Sequence, residues 1–137
     1  MNDRHRRMIA TTLLMLAALA LGGCSGSGQA EEGTPGAAVQ NFYGHLGDGS
    51  YEAAQAMYSA ETREIVADPE MFRSWADQAT RQDSIDKVII VDSKTSEDQA
   101  NAWVDFELAF RDGSTEAYSV QLVDDAGDWK LGLVVPK

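Results

Sequence analysis

The sequence predicts an α+β fold in which short N-terminal helices pack on a four-stranded antiparallel sheet. Two patterns predict it. Between residues 34 and 80, apolar side chains recur three and four positions apart, as they do in helices. From Ile85 onward they alternate along segments that short turns connect, as they do in strands. An antiparallel sheet with one apolar face must be covered, and the upstream helices are the segments available to cover it.

The first helix is predicted from its start and from one apolar face. Thr34 suits the N-cap position and Pro35 the first helical position. The apolar residues of this face share helical spacing: Val39, Phe42, Tyr43 and Leu46. The sequence GDGS then ends the helix.

Three shorter helices are predicted to follow. Ser50 is placed to cap a helix over residues 51–59, and Ser59 is placed to cap a short third helix. Asp68 and Pro69 open the fourth helix as its N-cap and first helical residue. Three side chains of the fourth helix are predicted to face the core: Phe72, Trp75 and Ala79.

Four strands are predicted in the C-terminal half. The first, within residues 84–93, is rich in β-branched residues, and the second, residues 101–110, alternates strictly. The apolar face of the second strand carries Ala102, Val104, Phe106, Leu108 and Phe110. Its opposite face carries Trp103, Asp105, Glu107 and Ala109. The last two strands are predicted to add to the apolar face Tyr118, Val120, Leu122, Trp129, Leu131, Leu133 and Val135.

The charge of the chain excludes one class of partner. Beyond residue 23 there are 8 basic and 21 acidic side chains, which gives a net charge of −13. Nucleic-acid binding depends on Lys and Arg neutralising phosphates, so no nucleic-acid partner is expected. Electrostatic docking of the folded domain on anionic lipid headgroups is not expected for the same reason.

Cys24 is the only cysteine of the sequence. A lone cysteine can be a buried thiol, a catalytic nucleophile, half of an intermolecular disulfide or the attachment point of a non-protein group. It cannot form an intrachain disulfide or a thiolate zinc cluster. His45 is the only histidine beyond residue 23, and no phosphate-binding or nucleophile motif is present. No metal site and no cofactor are therefore predicted.

Residues 1–23 have the organisation of a secretory signal peptide. A basic start is followed by the 14-residue apolar stretch 8–21, which is shorter than the roughly 20 residues that a membrane-spanning helix needs. The run Leu21-Gly22-Gly23-Cys24 resembles the lipobox of bacterial lipoproteins. The resemblance implies that a diacylglyceryl group is joined to the Cys24 sulfur, and that cleavage before Cys24 makes it the N-terminus.

The lipobox resemblance also implies a location. Residues 24–33 then form the lipidated cysteine and a flexible tether, and residues 34–137 form the domain. The protein is expected to be anchored in a membrane through its lipid, with an extracytoplasmic domain. Ser25, rather than aspartate, follows the cysteine. In a cell with two membranes this implies the periplasmic side of the outer membrane.

The domain sequence resembles the NTF2-like superfamily. The resemblance rests on TPGAAVQNFYGHLGDGSYEAAQAMYS at the start of the domain and on GDWKL near its end. Within that superfamily it is similar to small bacterial lipoproteins with DUF4878-type domains. The resemblance implies a curved sheet that carries the helices on its concave side, often with an open apolar pocket. Members include isomerase-like and dehydratase-like enzymes, binding proteins and dimers, and the fold does not choose among them.

Two candidate sites follow. A pocket for a small hydrophobic ligand would be lined by inward-facing residues: Phe42, Tyr43, Leu46, Tyr58, Trp75, Val104, Phe106 and Trp129. An interaction surface, for an envelope protein or for a second copy in a homodimer, is predicted on the outer side of the sheet at Trp103, Asp105 and Glu107. Both carboxylates are expected to be solvated there. His45 is expected at the end of the first helix, where the helix dipole favours it.

The predicted function is that of a membrane-anchored lipoprotein whose domain is a binding or interaction module. No catalytic residue is predicted, because the pattern places no acid or base inside the apolar side of the fold. Two alternatives stay open. One is an enzyme of the isomerase or dehydratase type that acts on a small hydrophobic substrate, and the other is a structural accessory to an envelope protein complex.

Overall fold

The computed structural model describes residues 29–137, in which four helices precede four strands. The helices are α1 (Pro35–Gly47), α2 (Tyr51–Ala56), α3 (Ala60–Ile65) and α4 (Pro69–Ala79). The strands are β1 (Ile85–Thr95), β2 (Asn101–Phe110), β3 (Thr115–Asp125) and β4 (Asp128–Pro136). The predicted signal peptide and lipobox, with Leu21, Gly22, Gly23 and Cys24, lie outside the described residues. No helix within residues 29–137 has the length and apolarity to cross a membrane.

The strands form one antiparallel sheet in the order β1-β2-β3-β4, which confirms the predicted α+β fold. The register pairs Val104 with Val120 and Phe106 with Tyr118, so the apolar residues of β2 and β3 share one face. We call this the inner face of the sheet and the opposite one the outer face. The helices pack on the inner face, where the rings of Tyr43 on α1 and Phe106 lie 5.5 Å apart between centroids.

The predicted N-caps of α1 and α4 are confirmed. The Thr34 hydroxyl accepts a hydrogen bond from the Ala37 N–H at 3.3 Å, and the Asp68 carboxylate accepts one from the Glu70 N–H at 2.9 Å. Both bonds satisfy N–H groups that lack a partner inside the helix. Ser50 precedes α2 as predicted, but its side chain makes no capping hydrogen bond.

The second helix ends at Ala56, before the predicted residue 59, because the residues that follow pair with β4. The Leu131 N–H donates to the Met57 carbonyl at 2.9 Å, and the Ser59 N–H donates to the Leu131 carbonyl at 2.8 Å. This segment covers backbone groups at the free edge of β4, which would otherwise face water. It also holds Tyr58 in the core.

The alternation predicted for β4 is wrong in its second half. Leu133 and Val135 are 49% and 51% exposed, whereas Val134 packs against the core. The pairing skips a position beside Gln121, which faces both Gly132 and Leu133 in a β-bulge. The bulge adds one residue to β4 and reverses which side chains turn inward. Leu133 and Val135 therefore belong to the outer face.

The inward face predicted for α4 is also partly wrong. Phe72 and Ala76 are its buried residues, Ala79 is half-buried, and Trp75 is 37% exposed. The buried pair lies four residues apart and so shares one side of the helix. Trp75 lies at the margin of that side, with its ring stacked 5.7 Å from the ring of Phe72.

Candidate functional site

The side chains predicted to line a pocket are mostly core side chains. Six of the eight are buried: Phe42, Tyr43, Leu46, Tyr58, Val104 and Phe106. Trp129 is half-buried and packs against them, whereas Trp75 is exposed on α4. The structure brings most of the predicted set together under the helices. A ligand site among these residues stays a prediction.

Aromatic rings occupy the space between α1 and the inner face of the sheet. The Phe42 ring centroid lies 5.1 Å from that of Tyr58 and 5.2 Å from that of Tyr43, both with edge contacts. Such contacts add to the stability that burial of the rings supplies. Burial raises the pKa of Tyr43 and of Tyr58 above the usual range. Both hydroxyls therefore stay protonated at neutral pH, and neither is suited to act as a base.

A polar cluster that the sequence analysis did not predict lies at one end of the inner face. The Arg81 guanidinium is 2.5 Å from a Glu116 carboxylate oxygen and 3.9 Å from the Phe110 ring centroid. The Tyr118 hydroxyl donates to the other Glu116 oxygen. Hydrogen bonds from Tyr118 and Arg81 hold the pKa of Glu116 below its usual value, and burial raises the pKa of Tyr118 to about 12. Glu116 stays ionised and Tyr118 protonated at neutral pH.

The positions of two members of this cluster could be predicted from the sequence. Glu116 and Tyr118 lie two residues apart on β3 and share its inner face, as the alternation implies. Arg81 reaches them through a left-handed turn, because Arg81, Gln82 and Asp83 have φ angles of 49°, 56° and 64°. This conformation costs roughly 1–2 kcal/mol per non-glycine residue. The turn contains no glycine, the residue that usually marks a left-handed conformation. The position of Arg81 could therefore not be predicted from the sequence.

An open cleft of about 990 Å³ lies between α1 and the start of β1. Its lining is mixed and includes the apolar residues Ile85 and Val88 as well as the polar or charged residues Asn41, His45, Lys87 and Arg111. His45 lies in the last turn of α1, as predicted. Within residues 29–137, no three His, Cys, Asp or Glu side chains are grouped as a metal ion would need. The cleft thus combines polar and charged side chains without a set of metal ligands in the described part of the chain.

The outer face of the sheet exposes three apolar side chains, which we call the outer-face patch: Trp103, Leu133 and Val135. Trp103 is 45% exposed and pairs across β2 and β3 with Gln121. Leu133 lies beyond the same Gln121 on β4. The alternation of β2 correctly predicted the position of Trp103. Leu133 and Val135 join it because of the bulge at Gly132.

Charged side chains of both signs lie beside the outer-face patch. The Lys137 ammonium is 2.5 Å from an Asp105 carboxylate oxygen, and the Lys94 ammonium is 3.8 Å from an Asp92 carboxylate oxygen. The hydrogen bond from Lys137 is the largest cause that holds the pKa of Asp105 below its usual value. Asp105 and Glu107 lie on the outer face as predicted, and both are half-buried. Beside the patch, Lys94 and Lys137 thus lie close to the carboxylates of Asp92, Asp105 and Glu107.

Helices packed on one face of an open antiparallel four-stranded meander, with the other face exposed, define an NTF2-like α+β domain. The chain belongs to the family described as "Domain of unknown function (DUF4878)", whose model matches residues 25–132. No curated protein matches the sequence.

Two solved structures are similar to the chain in fold. One is a SEC-C motif containing protein from Rhodopseudomonas palustris, with a TM-score of 0.60 at 16% identity over 77% of this chain and 80% of that one. The other is described as an NTF2-like transpeptidase from Campylobacter jejuni, with a TM-score of 0.53 at 14% identity over 69% of this chain and 94% of that one. At these identities the similarity shows the fold alone.

Proposed function

We propose that this protein is a membrane-anchored lipoprotein whose NTF2-like domain is a protein-interaction module that acts through the outer face of its sheet. The anchor is the lipid on Cys24, which the lipobox resemblance of Leu21-Gly22-Gly23-Cys24 supports. Acyl chains contribute roughly 0.8 kcal/mol per buried methylene, and two or more chains hold a protein on a membrane without help from its charge. The chain beyond residue 23, with a net charge of −13, gains no attraction to anionic lipid headgroups, so the lipid alone must hold it.

The observation that carries the interaction role is the exposure of the outer-face patch. Trp103 lies on a central strand, and neither α1 nor any other described helix covers its face of the sheet. Exposed tryptophan and aliphatic side chains grouped on one face are typical of protein interfaces. The free edge of β4, by contrast, is paired at Leu131 with the segment at Tyr58.

A second copy of the chain is the partner that the charges on this face favour. Lys94 and Lys137 lie among Asp92 and Asp105. A two-fold axis through the face can set the lysines of each copy against the carboxylates of the other. A sheet of four strands, the shortest of which has nine residues, projects roughly 570 Å² over that length. This is of the same order as the roughly 800 Å² of accessible surface that each partner buries in a stable interface.

The directions of the pKa shifts favour binding over the isomerase or dehydratase alternative. A general acid or base of that kind needs a pKa close to neutrality. The pKa of Glu116 is lowered and the pKa values of Tyr43, Tyr58 and Tyr118 are raised, so all four move away from neutrality. We therefore place an interaction role first.

The anchor is tested with Cys24→Ala in the full chain. Fractionation should move the variant out of the membrane pellet, and labelling with a fatty-acid probe should be lost. Cys24→Ser is a second variant that keeps a side chain of similar size. It should behave in the same way, because neither variant has a sulfur to which the lipid can be joined. Unchanged labelling of either variant contradicts the lipid anchor.

The interaction face is tested by photo-crosslinking in cells. A photoreactive residue at Gln121, between Trp103 and Leu133, should give a product of twice the chain mass if a second copy binds. A product of another mass identifies an envelope protein instead. The control position is Gln99, exposed in the turn that connects β1 and β2. Trp103→Thr combined with Leu133→Thr should reduce the Gln121 product, and equal products at both positions contradict the proposal.

A further inference from the structure

A second exposed apolar surface lies on α4. Met71 is 71% exposed and Trp75 is 37% exposed, and the two lie four residues apart, one helical turn from each other. We call these two residues the α4 stripe. Phe72 and Ala76 are the side chains that bury α4 against the core. Met71 is therefore not needed to hold the helix, and its side chain is accessible to a partner.

The two residues of the α4 stripe differ in rigidity in a way that suits binding. The Trp75 ring is held by a stacked contact with Phe72 and by a tilted contact with Phe42, whose centroids lie 5.7 and 6.3 Å away. A tryptophan fixed in this way loses little freedom when a partner covers it. Met71 has a flexible, polarisable side chain, and methionine adapts to apolar partners of different shapes.

The charges around the α4 stripe are mostly negative. Residues 68–79, the N-cap and body of α4, contain three acidic side chains and one basic side chain. The Arg73 guanidinium lies 5.0 Å from the Tyr51 ring centroid and Asp77 accepts a hydrogen bond from the Tyr51 hydroxyl, so both are directed at the body of the domain and Asp68 and Glu70 remain beside the stripe. Glu70 is exposed in the first turn of α4, next to Met71. The surface around the stripe thus favours a positively charged partner.

We propose that the α4 stripe and its acidic surroundings bind a basic, amphipathic helix of a partner protein. A helix laid along α4 would set its apolar side on Met71 and Trp75 and its Lys or Arg side chains on Glu70 and its acidic neighbours. The 11 residues of α4 span about 16 Å. A contact of this length belongs to the small interfaces of weak or transient complexes. This surface is separate from the outer-face patch, and the inference does not depend on the proposed function.

The test uses the purified protein and a fluorescent 16-residue peptide of Leu and Lys arranged as an amphipathic helix. Binding is measured by fluorescence anisotropy. Met71→Gln should weaken binding about five-fold or more, as loss of an interface anchor does, and Glu70→Gln should weaken it less. Val91→Thr on β1 is the matched control, because Val91 is 59% exposed and belongs neither to the α4 stripe nor to the outer-face patch. It should leave the affinity unchanged.

Two further peptides separate the stripe from general attraction between opposite charges. A peptide with Glu in place of Lys should not bind, and a peptide with the same Leu and Lys residues in scrambled order should bind the wild type and Met71→Gln equally weakly. The proposal is overturned if Met71→Gln and Val91→Thr have the same effect on the Leu-Lys peptide, or if that peptide does not bind at all.

Discussion

Trp103 and Trp75 are exposed to a similar degree, at 45% and 37%, but they rest on different supports. Trp103 lies on a strand that is paired on both sides, directly behind the buried side chains of β2. Trp75 lies on a helix that two buried side chains, Phe72 and Ala76, hold on the core. Similar solvent exposure therefore goes with support from paired strands in one region and from two buried side chains of a single helix in the other.

The two regions also differ in charge, which is mixed on the outer face and mainly acidic around α4. Lysines and carboxylates lie side by side on the outer face, which suits a self-complementary contact. The acidic side chains around α4 lack such a balance and suit a partner of opposite sign. Substitutions that change the support of one region and leave the other unchanged test this difference.

The largest effect is expected from Phe72→Ala, which removes the main attachment of α4. Phe72 contacts the rings of Tyr51, Tyr58 and Trp75. Loss of a buried phenylalanine costs about 3–5 kcal/mol in the free energy of unfolding. Urea denaturation measures this cost. Met71→Ala, one residue away but exposed, is the control and should cost less than about 0.5 kcal/mol. A similar cost for both variants would show that α4 is not held through Phe72.

A smaller loss is expected from Gly132→Ala, which acts on the outer-face patch. A Cβ at Gly132 would lie 3.0 Å from the Gln121 carbonyl oxygen, so the bulge must shift. Overpacking of this kind costs about 1–3 kcal/mol. Gly44→Ala is the matched control, because its Cβ on α1 meets nothing within 4 Å. It should stabilise the protein by up to about 1 kcal/mol. A neutral Gly132→Ala would mean that the bulge does not depend on the close approach.

The parts of the fold that the sequence predicted are those with local causes. Thr34 and Asp68 cap helices through bonds to residues two or three positions away, and the alternation of β2 follows from burial of one side of a strand. The reversal at Gly132 and the end of α2 at Ala56 have non-local causes, because each depends on pairing with another segment. Their residues show no pattern that distinguishes them beforehand.

The residues of the candidate sites that could be predicted are likewise those whose positions follow from a local pattern. Alternation sufficed to place Trp103 outside the sheet, and helical spacing sufficed to place Phe42 in the core. The α4 stripe was missed because Trp75 lies at the margin of the buried side of its helix, where spacing alone does not separate inward from outward positions. Arg81 was missed because three consecutive left-handed residues without glycine are rare.

The start of α4 gives the next prediction. The Asp68 carboxylate accepts hydrogen bonds from the N–H groups of Glu70 and Met71, at 2.9 and 3.2 Å. Asp68→Ala should therefore destabilise the protein by about 1 kcal/mol in urea denaturation. Ser50→Ala tests the same position of α2, where no capping hydrogen bond is made, and should have almost no effect. Equal losses would contradict the capping role of Asp68.

The smallest effect is expected on the outer face, where Lys137→Gln removes the strongest interaction of the Asp105 carboxylate. The hydrogen bond from Lys137 is the largest cause that holds the pKa of Asp105 below its usual value, a hydrogen bond from Ser119 is the next, and the charge of Lys94 contributes less. A carboxyl whose pKa is lower in the folded than in the unfolded protein stabilises the fold above its unfolded pKa, and this contribution is lost as the pH falls through the folded pKa.

An NMR titration should show the pKa of Asp105 rising in Lys137→Gln and rising less in Lys94→Gln. The stability difference between wild type and Lys137→Gln should be present at pH 7 and vanish at a pH below the folded pKa of Asp105. If Lys94→Gln raises the pKa as much as Lys137→Gln does, the charges on this face act on Asp105 as a diffuse field and not through the hydrogen bond from Lys137.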